Sequence, residues 1–451
     1  MGRALILLAA GQGTRMNSDL PKVLHTLAGA PLLHHALNAG SAAEPERTVV
    51  VIGPNQSDVA AAAQGFGEDV VPVEQAERLG TGHAVLQARA ALADFAGDVF
   101  VLYGDTPFIK PQTLTRMAEA RAAGSDVVVL GFEARDPGRY GRLVMAGSRL
   151  ERIVEYKDAT EAERKINLCN SGVVCADASA LFSLIDEVGN DNASGEYYLT
   201  DIVAVAAKRG LSATAVTCDE AETLGINSRA ELAAAESQFQ NEMRLAAMED
   251  GVTLVAPDTV FFSYDTVLGR DAVVEPNVVF GPGVTVETGA RIRAFSHIEG
   301  AHVGADAIVG PYARLRPGSE LGNGARIGNF VEVKAAEIGE GAKVNHLSYV
   351  GDATVGAGSN IGAGTITCNY DGVFKHQTTI GADVFVGSNT LLIAPVELGD
   401  RSMTASGTVV TDDVPRGAMA LSRVRQENKP GLAEKFMKRL RALKARGAKK
   451  E

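Results

Sequence analysis

The stretch Val303–Val333 reads VGADAIVGPYARLRPGSELGNGARIGNFVEV and carries an aliphatic residue at every sixth position: Val303, Val309, Leu315, Leu321, Ile327 and Val333. If about a quarter of residues are Val, Ile or Leu, six hits in one chosen register arise by chance with odds of order 10⁻⁴. A step of six matches neither the ~3.6 period of a helix nor the ~2 period of an ordinary strand. The economical reading is a β-solenoid. Each hexapeptide makes one short strand and one corner, the aliphatic side chain fills a prism, and three hexapeptides complete a coil. The same step recurs in Val267/Val273/Val279, Val286/Ile292/Ile298, Ile338/Val344/Val350 and Ile380/Val386/Leu392/Leu398, with registers offset where single residues are inserted or dropped. Glycine commonly follows, as in Val303-Gly304, Leu321-Gly322 and Ile327-Gly328, a small residue where the chain turns. The segment Cys368–Thr379 breaks the ladder. A loop expelled from a regular coil is a place to look for function, a tolerated insertion being the plainer alternative.

Upstream of Gly251 the texture changes. Ser228–Met248 (SRAELAAAESQFQNEMRLAAM) has neither Gly nor Pro, opens on a Ser228/Glu231 capping-box pattern and is followed by Asp250-Gly251. That predicts a linker helix of roughly thirty ångströms at ~1.5 Å per residue. Before it, apolar runs (Ala4–Leu8, Thr48–Ile52, Val99–Leu102, Val127–Gly131, Val173–Cys175) alternate with helical patterns such as Pro111–Ala123 and Tyr198–Arg209. Strands alternating with helices predict a mostly parallel α/β sheet, whose ligands gather at the carboxyl ends of the strands. The chain thus divides into an α/β domain over 1–227, a linker helix over 228–250 and a solenoid domain over 251–451.

With 451 residues, 46% hydrophobic and 22% charged, the composition is that of an ordinary globular protein. The absence of Trp and a net charge of −12 argue against nucleic acid as a partner. No stretch approaches the ~20 apolar residues of a membrane span, and the apolar start Ala4–Ala10 is too short for a secretory core. Cys169, Cys175, Cys218 and Cys368 show no CxxC pair and no metal-ligand spacing, which suits reduced thiols. A cytoplasmic protein with no membrane partner is expected. The tail Arg423–Glu451 is locally basic (Lys435, Lys438, Arg439, Arg441, Lys444, Arg446, Lys449, Lys450). It reads as a solvated amphipathic helix or as a phosphate- or partner-binding arm.

Leu7–Met16 (LLAAGQGTRM) leaves a buried strand for a loop of small residues. Glycines let backbone N–H groups approach a phosphate, and Arg15 and Lys22 can offset a polyphosphate's charge. The dinucleotide fingerprint GxGxxG fails because position 16 is Met, and the Walker pattern is absent. The longer run LAAGQGTRMNSDLPKVL resembles the GxGTRMxxxxPK signature of the nucleotide-sugar pyrophosphorylases (nucleotidyltransferases). Further motifs follow in that family's order: Gln75-Ala-Glu-Arg-Leu-Gly80-Thr81-Gly-His83, Tyr103-Gly104-Asp105, Tyr140-Gly141-Arg142, Glu155 in IVEYKDA, Asn170 in CNSG, GEYYLTD at 195–201 and Asn227 in GIN. Asp105 alone could be a turn residue or a helix cap. Joined by the amide oxygen of Asn227, its hard carboxylate oxygen suits a Mg²⁺ that keeps most of its waters.

Across its whole length the chain resembles a bacterial family of bifunctional sugar-phosphate uridyltransferase/acetyltransferases. The resemblance implies a Rossmann-like nucleotidyltransferase domain, a linker helix, and a left-handed parallel β-helix of the hexapeptide-repeat acyltransferase kind, assembled as a homotrimer. It implies acetyl transfer from acetyl-CoA to glucosamine-1-phosphate, then uridylyl transfer from UTP to N-acetylglucosamine-1-phosphate with release of pyrophosphate. Leu8, Ala9, Ala10, Gly11, Gln75, Gly80, Thr81, Tyr103 and Gly104 would then line the nucleotide pocket. Gly141, Glu155 and Asn170 would hold the sugar, Lys22 and Arg15 the phosphates, and Asp105 and Asn227 the metal.

His346, in Lys343-Val-Asn-His346-Leu-Ser-Tyr349, is the histidine with polar company in the solenoid. An imidazole with pKa near ~6.5 can take a proton from an attacking amine. By the resemblance His346 is the general base; Glu332 is expected to be an orienting residue behind the site. Arg316 and Lys334 would anchor the amino-sugar phosphate, and Tyr349 and Asn360 the sugar. Ala363, Asn369, Tyr370, Ser388, Ser406 and Arg423 would bind acetyl-CoA, although some relatives carry Ala where Ser406 stands. Two competing readings are a single-activity nucleotidyltransferase with a passive solenoid, and a non-catalytic trimeric scaffold. A passive prism requires neither an extruded Asn-Tyr loop nor a base beside Arg316 and Lys334.

Overall fold

The structure, a computed structural model, describes residues 2–447; Lys449 and Lys450 of the basic tail and the side chain of Arg446 lie outside what is described. The chain forms two compact units. One runs to Leu245 and takes in Phe262–Tyr264, and the other is Ala246–Phe261 continued from Asp265.

In the first unit the apolar runs join one sheet in the order Ala213–Cys218, Val127–Glu133, Leu168–Asp177, Gly97–Tyr103, Gly2–Leu8, Arg47–Ile52, Val70–Glu74. Along it neighbours are parallel except around Leu168–Asp177, which runs antiparallel to both of its own. The strands read as unbroken apolar runs because helices cover both faces. Leu5, Leu7, Phe100 and Leu102 pack on Leu33, Leu37, Leu114 and Met117. Ile6, Val99 and Val101 pack on Val85, Leu181 and Ile202 from the other side. Leu8 and Tyr103 are register partners at the carboxyl ends of the two central strands, so the loops that follow them open side by side.

The predicted helix at Pro111–Ala123 is found as Pro111–Ala122. The pattern at Tyr198–Arg209 resolves into a 3₁₀ turn, Leu199–Asp201, and a shorter helix, Ile202–Lys208. Helix Arg229–Glu249 is packed rather than free-standing. Ala235 joins a cluster with Leu27, Leu32, Phe108 and Ile226, and buried Gln240 exchanges two hydrogen bonds with the backbone of Phe262. At its start Glu231 N–H donates to Ser228 Oγ, but the Glu231 carboxylate reaches back to the N–H of Asn227, one residue beyond the usual box.

The second unit is a parallel solenoid of two- to seven-residue strands. Stacked partners such as Val273, Arg291, Ile308, Arg326, Lys343 and Asn360 lie 18 or 17 residues apart, three hexapeptides less an occasional residue, which accounts for the register offsets. Val303, Val309, Leu315, Leu321, Ile327 and Val333 all point inward at 0–1% exposure. The ladder Val267/Val273/Val279 needs correcting by one residue: Val267 is exposed, while Val274 and Phe280 fill the prism. Each of those strands carries two adjacent apolar residues, so the sequence there does not say which one faces in. The loop after Cys368 lengthens one turn to 25 residues between Asn360 and its partner Phe385. No helix among the described residues is long and apolar enough to cross a membrane.

Candidate functional sites

At the carboxyl ends of Gly2–Leu8 and Gly97–Tyr103 lies a cavity of about 230 Å³ lined by Leu8, Ala9, Ala10, Gly11, Lys22, Gln75, Gly80, Thr81, Tyr103 and Asp105, with Arg78 and Glu196 among the remainder. Backbone geometry requires two glycines here, Gly80 in the lining and Gly13 against the lining residue Lys22. Gly13 has φ +63° and its missing Cβ would sit 2.5 Å from Lys22 Cβ, so this glycine lets the lysine stem pass. Gly80 has φ +114° against the Tyr197 carbonyl. Next to it Gly82 N–H donates to Tyr197 O at 2.8 Å and Leu199 N–H donates to Thr81 Oγ1 at 3.0 Å, which joins the Gly80–His83 motif to GEYYLTD. Gln75 is buried and donates to Gly80 O, and Arg78 Nε donates to Ala10 O at 2.9 Å. Gly104 N–H donates to Leu8 O at 2.9 Å, tying the two strand ends together.

A second cavity of about 600 Å³ shares Thr81, Tyr103 and Glu196 with the first and adds Arg139, Glu155, Tyr156, Lys157, Asn170, Ser194, Tyr198 and Thr200. Gly141 sits at its edge, its missing Cβ 3.4 Å from Glu155 Oε1, and its carbonyl accepts from Asn170 N–H at 2.9 Å. Thr200 Oγ1 donates to Glu155 Oε1 at 3.3 Å. Burial raises the Glu155 carboxyl above its ordinary range, and the neighbouring Asp201 and Asp158 add to the effect. Burial likewise lifts the Tyr103 hydroxyl, with Glu155 and Asp105 contributing. Arg15, on the exposed 3₁₀ turn Thr14–Met16, is among the lining residues of neither cavity.

Lys22 Nζ lies between two oxygens, donating to Asp105 Oδ2 and, at 3.0 Å, to Asn227 Oδ1. A positive charge thus stands where the sequence led us to expect a metal. An acceptor-only carboxylate and an amide oxygen turned toward one point are a donor set a hard divalent cation fits, with water and phosphate completing its shell. Among the described residues no group of three or more His, Cys, Asp or Glu side chains clusters as a metal cage.

The solenoid carries two further arrangements. In the first, residues one coil apart stack along a corner. Asn329 pairs with His346, whose carbonyl accepts from Gly364 N–H; the Ala363 carbonyl accepts from Asn389 N–H, and that of Ser388 from Gly407 N–H. Asn329, His346, Ala363, Ser388 and Ser406 therefore form one column, and Arg423 closes it by donating to Ser406 O at 2.9 Å. His346 Nδ1 is 2.9 Å from Asn329 Oδ1. An amide oxygen only accepts, so Nδ1 carries the proton and Nε2 is the basic nitrogen. Glu332, expected as an orienting residue, lies 2.9 Å from Arg316; it belongs to the strand Glu332–Ile338, on a different ladder from Arg326–Asn329. Asn360 follows His346's strand on its own ladder, paired with Lys343.

The second arrangement holds the phosphate anchors. Arg316 is paired with Glu332, which raises its already high pKa, and Lys334 Nζ lies 3.2 Å from Asp352 Oδ1. Tyr349 Oη is 3.4 Å from Asn369 Nδ2. The extruded loop is folded on itself: Asp371 accepts from Val373 and Phe374 N–H and from the His376 ring, and Tyr370 Oη donates to Gly372 O. The loop also brings Lys375 against Lys334, and that contact lowers the Lys375 pKa. Asp352 and Asn329 were not singled out in the sequence, since short polar residues at solenoid corners are common, and Lys375 was not because the fold of the extruded loop is not written in its sequence. Arg78 and Thr200 sat inside quoted motifs without being assigned.

Residues 5–170 match the family model of the MobA-like NTP transferase domain, and residues 265–300 and 300–335 match that of the bacterial transferase hexapeptide (six repeats). The chain is 65% identical to the bifunctional protein GlmU of Cereibacter sphaeroides over 448 residues, 99% of this chain and 98% of that one. It is 64% identical to the bifunctional protein GlmU of a Ruegeria species over 449 residues, the whole of both chains. It is 63% identical to that of a Jannaschia species, covering 98% and 97%.

Proposed function

This chain belongs to the bifunctional GlmU family, a nucleotidyltransferase joined to a hexapeptide-repeat acyltransferase, and from that premise we propose how its residues divide the work. The enzyme makes UDP-N-acetylglucosamine, a precursor of peptidoglycan and lipopolysaccharide, by acetylating glucosamine-1-phosphate and then transferring uridylyl from UTP. The observation that carries the first site is the convergence of Asp105 and Asn227 oxygens on one cation position beside the loop Leu8–Gly11.

In uridylyl transfer a phosphate oxygen of N-acetylglucosamine-1-phosphate attacks the α-phosphorus of UTP in line, and pyrophosphate leaves with the electrons of the broken bond. Positioning and charge neutralisation supply most of the acceleration. Asp105 and Asn227 would hold Mg²⁺, which would supply charge neutralisation for the triphosphate and the leaving group. Lys22, whose ammonium holds that position in the structure, would move off the two oxygens to offset phosphate charge beside the metal, and Arg15, on its exposed turn, would reach the outer phosphates. Gln75, Gly80 and Thr81 hold the uridine end, while Glu155, Asn170 and the backbone of Gly141 fix the sugar in the adjoining cavity.

In acetyl transfer His346 Nε2 takes a proton from the 2-ammonium of glucosamine-1-phosphate. The freed amine attacks the thioester carbonyl, and coenzyme A leaves as the thiolate and is protonated. Arg316 and Lys334 anchor the phosphate, Tyr349 and Asn360 the sugar. The column Ala363, Ser388 and Ser406, ending at Arg423, suits an extended acyl donor, since successive coils stack at about 4.8 Å. Asn369 and Tyr370 receive its acyl end. Within one chain the His346 column and the phosphate anchors occupy different ladders, and Val373 and Phe374 on the loop are 74% and 67% exposed. A homotrimer, in which a neighbouring copy covers that loop and completes the site, accounts for both. The enzyme works in the cytoplasm, where its nucleotide and acetyl-CoA are made.

Glucosamine-1-phosphate, acetyl-CoA, UTP and Mg²⁺ are supplied together, and free thiol and pyrophosphate are followed independently. Asp105→Asn is expected to stop pyrophosphate release and leave thiol release intact, and His346→Ala to abolish nearly all thiol release while uridylyl transfer from supplied N-acetylglucosamine-1-phosphate persists. Loss of both activities in either folded variant refutes the division.

A further inference from the structure

We infer that Asp352 is a positioning residue of the acetyl-transfer site, a single carboxylate that fastens the phosphate anchor Lys334 to the acyl-donor residue Asn369. The inference rests on the acetyl-transfer reading above. Tyr349 pairs with Ile366 across adjacent coils, so three residues further on Asn369 stands over Asp352, at the corner where the loop leaves the solenoid. Asp352 has φ +47°, the left-handed backbone of a solenoid corner. Other corner aspartates with the same backbone, Asp271, Asp306 and Asp383, are exposed, whereas Asp352 is half-buried against side chains of two strands.

Its contacts divide between the two halves of the site. Lys334 Nζ lies 3.2 and 3.3 Å from the two carboxylate oxygens, and Asn369 Nδ2 donates to Oδ2. Because an ionised carboxylate accepts only, Asn369 must turn its NH₂ toward Asp352, and its carbonyl oxygen is left as the accepting end for a ligand N–H. Buried Asn369, at 8% exposure, has little room to choose otherwise. The same carboxylate holds the Lys334 ammonium beside Lys375, a cation that would otherwise push it away. One side chain therefore sets the orientation of an amide on the donor side and of an ammonium on the acceptor side. A carboxamide at 352 could offer NH₂ to either neighbour, losing both constraints at once while keeping the size of the side chain.

The test is steady-state acetyl transfer by full-length Asp352→Asn and Asp352→Ala, read as thiol release, with glucosamine-1-phosphate and acetyl-CoA varied separately. Circular dichroism melting of the same preparations reports that the solenoid is folded, and uridylyl transfer reports on the first unit. KM for both substrates is expected to rise about tenfold in Asp352→Asn, the scale of a lost charge-assisted hydrogen bond, with kcat changed less than about threefold and Asp352→Glu restoring part of the loss. Uridylyl transfer stays at the parent rate. An unchanged KM for acetyl-CoA overturns the fastening role even if the sugar phosphate binds less well, and so does a fall in kcat with both KM values unmoved. If the parent enzyme itself releases no thiol, it is the acetyl-transfer reading that fails rather than the role of Asp352.

Discussion

Glu155, a sugar-binding group on the proposed reading, shows what such a role costs its fold. The carboxyl is half-buried near Asp201 and Asp158, with Thr200 as its hydroxyl partner, and its pKa is raised because partial burial disfavours the charged form. A sugar hydroxyl needs the ionised carboxylate as acceptor. Uridylyl transfer should therefore decline on the acid side with an apparent pKa above the ordinary 4.5, when kcat/KM for the sugar phosphate is measured against pH. For stability the sign is opposite: the folded state holds this proton more tightly than the unfolded chain, so the group's favourable contribution is present at low pH and lost as pH rises through the raised pKa. Glu155→Gln should lower kcat/KM about tenfold or more while the melting temperature at neutral pH holds or rises. A melting temperature that falls instead would make Glu155 a structural residue. The sequence made Glu155 legible through its motif, but not its environment, because Asp201 and Thr200 reach it from a segment more than forty residues away. His346 gives the converse lesson. Its partner lies one coil back at Asn329, 17 residues away, and only the repeat of the coil brings the two together.

At the scale of elements, the solenoid was readable because one side chain in six must fill the prism whatever else the coil does. It became unreadable where two adjacent apolar residues compete for that place, at Val273-Val274 and Val279-Phe280. In the α/β unit the strands were legible as buried runs, whereas the end of the pattern at Tyr198–Arg209 was not, since Leu199–Asp201 is tied to the Gly80–Gly82 segment by hydrogen bonds remote in sequence. Ile327 tests the prism. It is fully buried, pairs with Val309 and Val344, and lies in the strand that carries Asn329. Ile327→Ala should cost about 2–4 kcal/mol through lost burial and the cavity left behind. Residual activities after graded heating should show acetyl transfer failing at a lower temperature than in the parent, with the uridylyl-transfer curve unmoved. A parallel shift of both curves would mean that the two units unfold as one.

The whole molecule joins two chemistries that share no residue. Lys22, Asp105 and Asn227, with the cavities beside them, belong to the unit ending at Leu245, and His346, Asn329, Lys334 and Asp352 to the unit continued from Asp265. On the proposed reading the residues assigned to each reaction come from one unit, and the product of one reaction is a small, charged, water-soluble sugar phosphate. Such an intermediate can leave one molecule and enter another. Asp105→Asn and His346→Ala proteins, each unable to make UDP-N-acetylglucosamine from glucosamine-1-phosphate, should do so when mixed. The sugar nucleotide should appear after a lag that shortens as either protein is increased, because the acetylated intermediate must first accumulate toward the KM of the second site. Quantifying it by chromatography over time decides the matter. Intact single activities with no product from the mixture would mean that the intermediate is handed over within one assembly, and the independence of the two sites would then be confined to their residues.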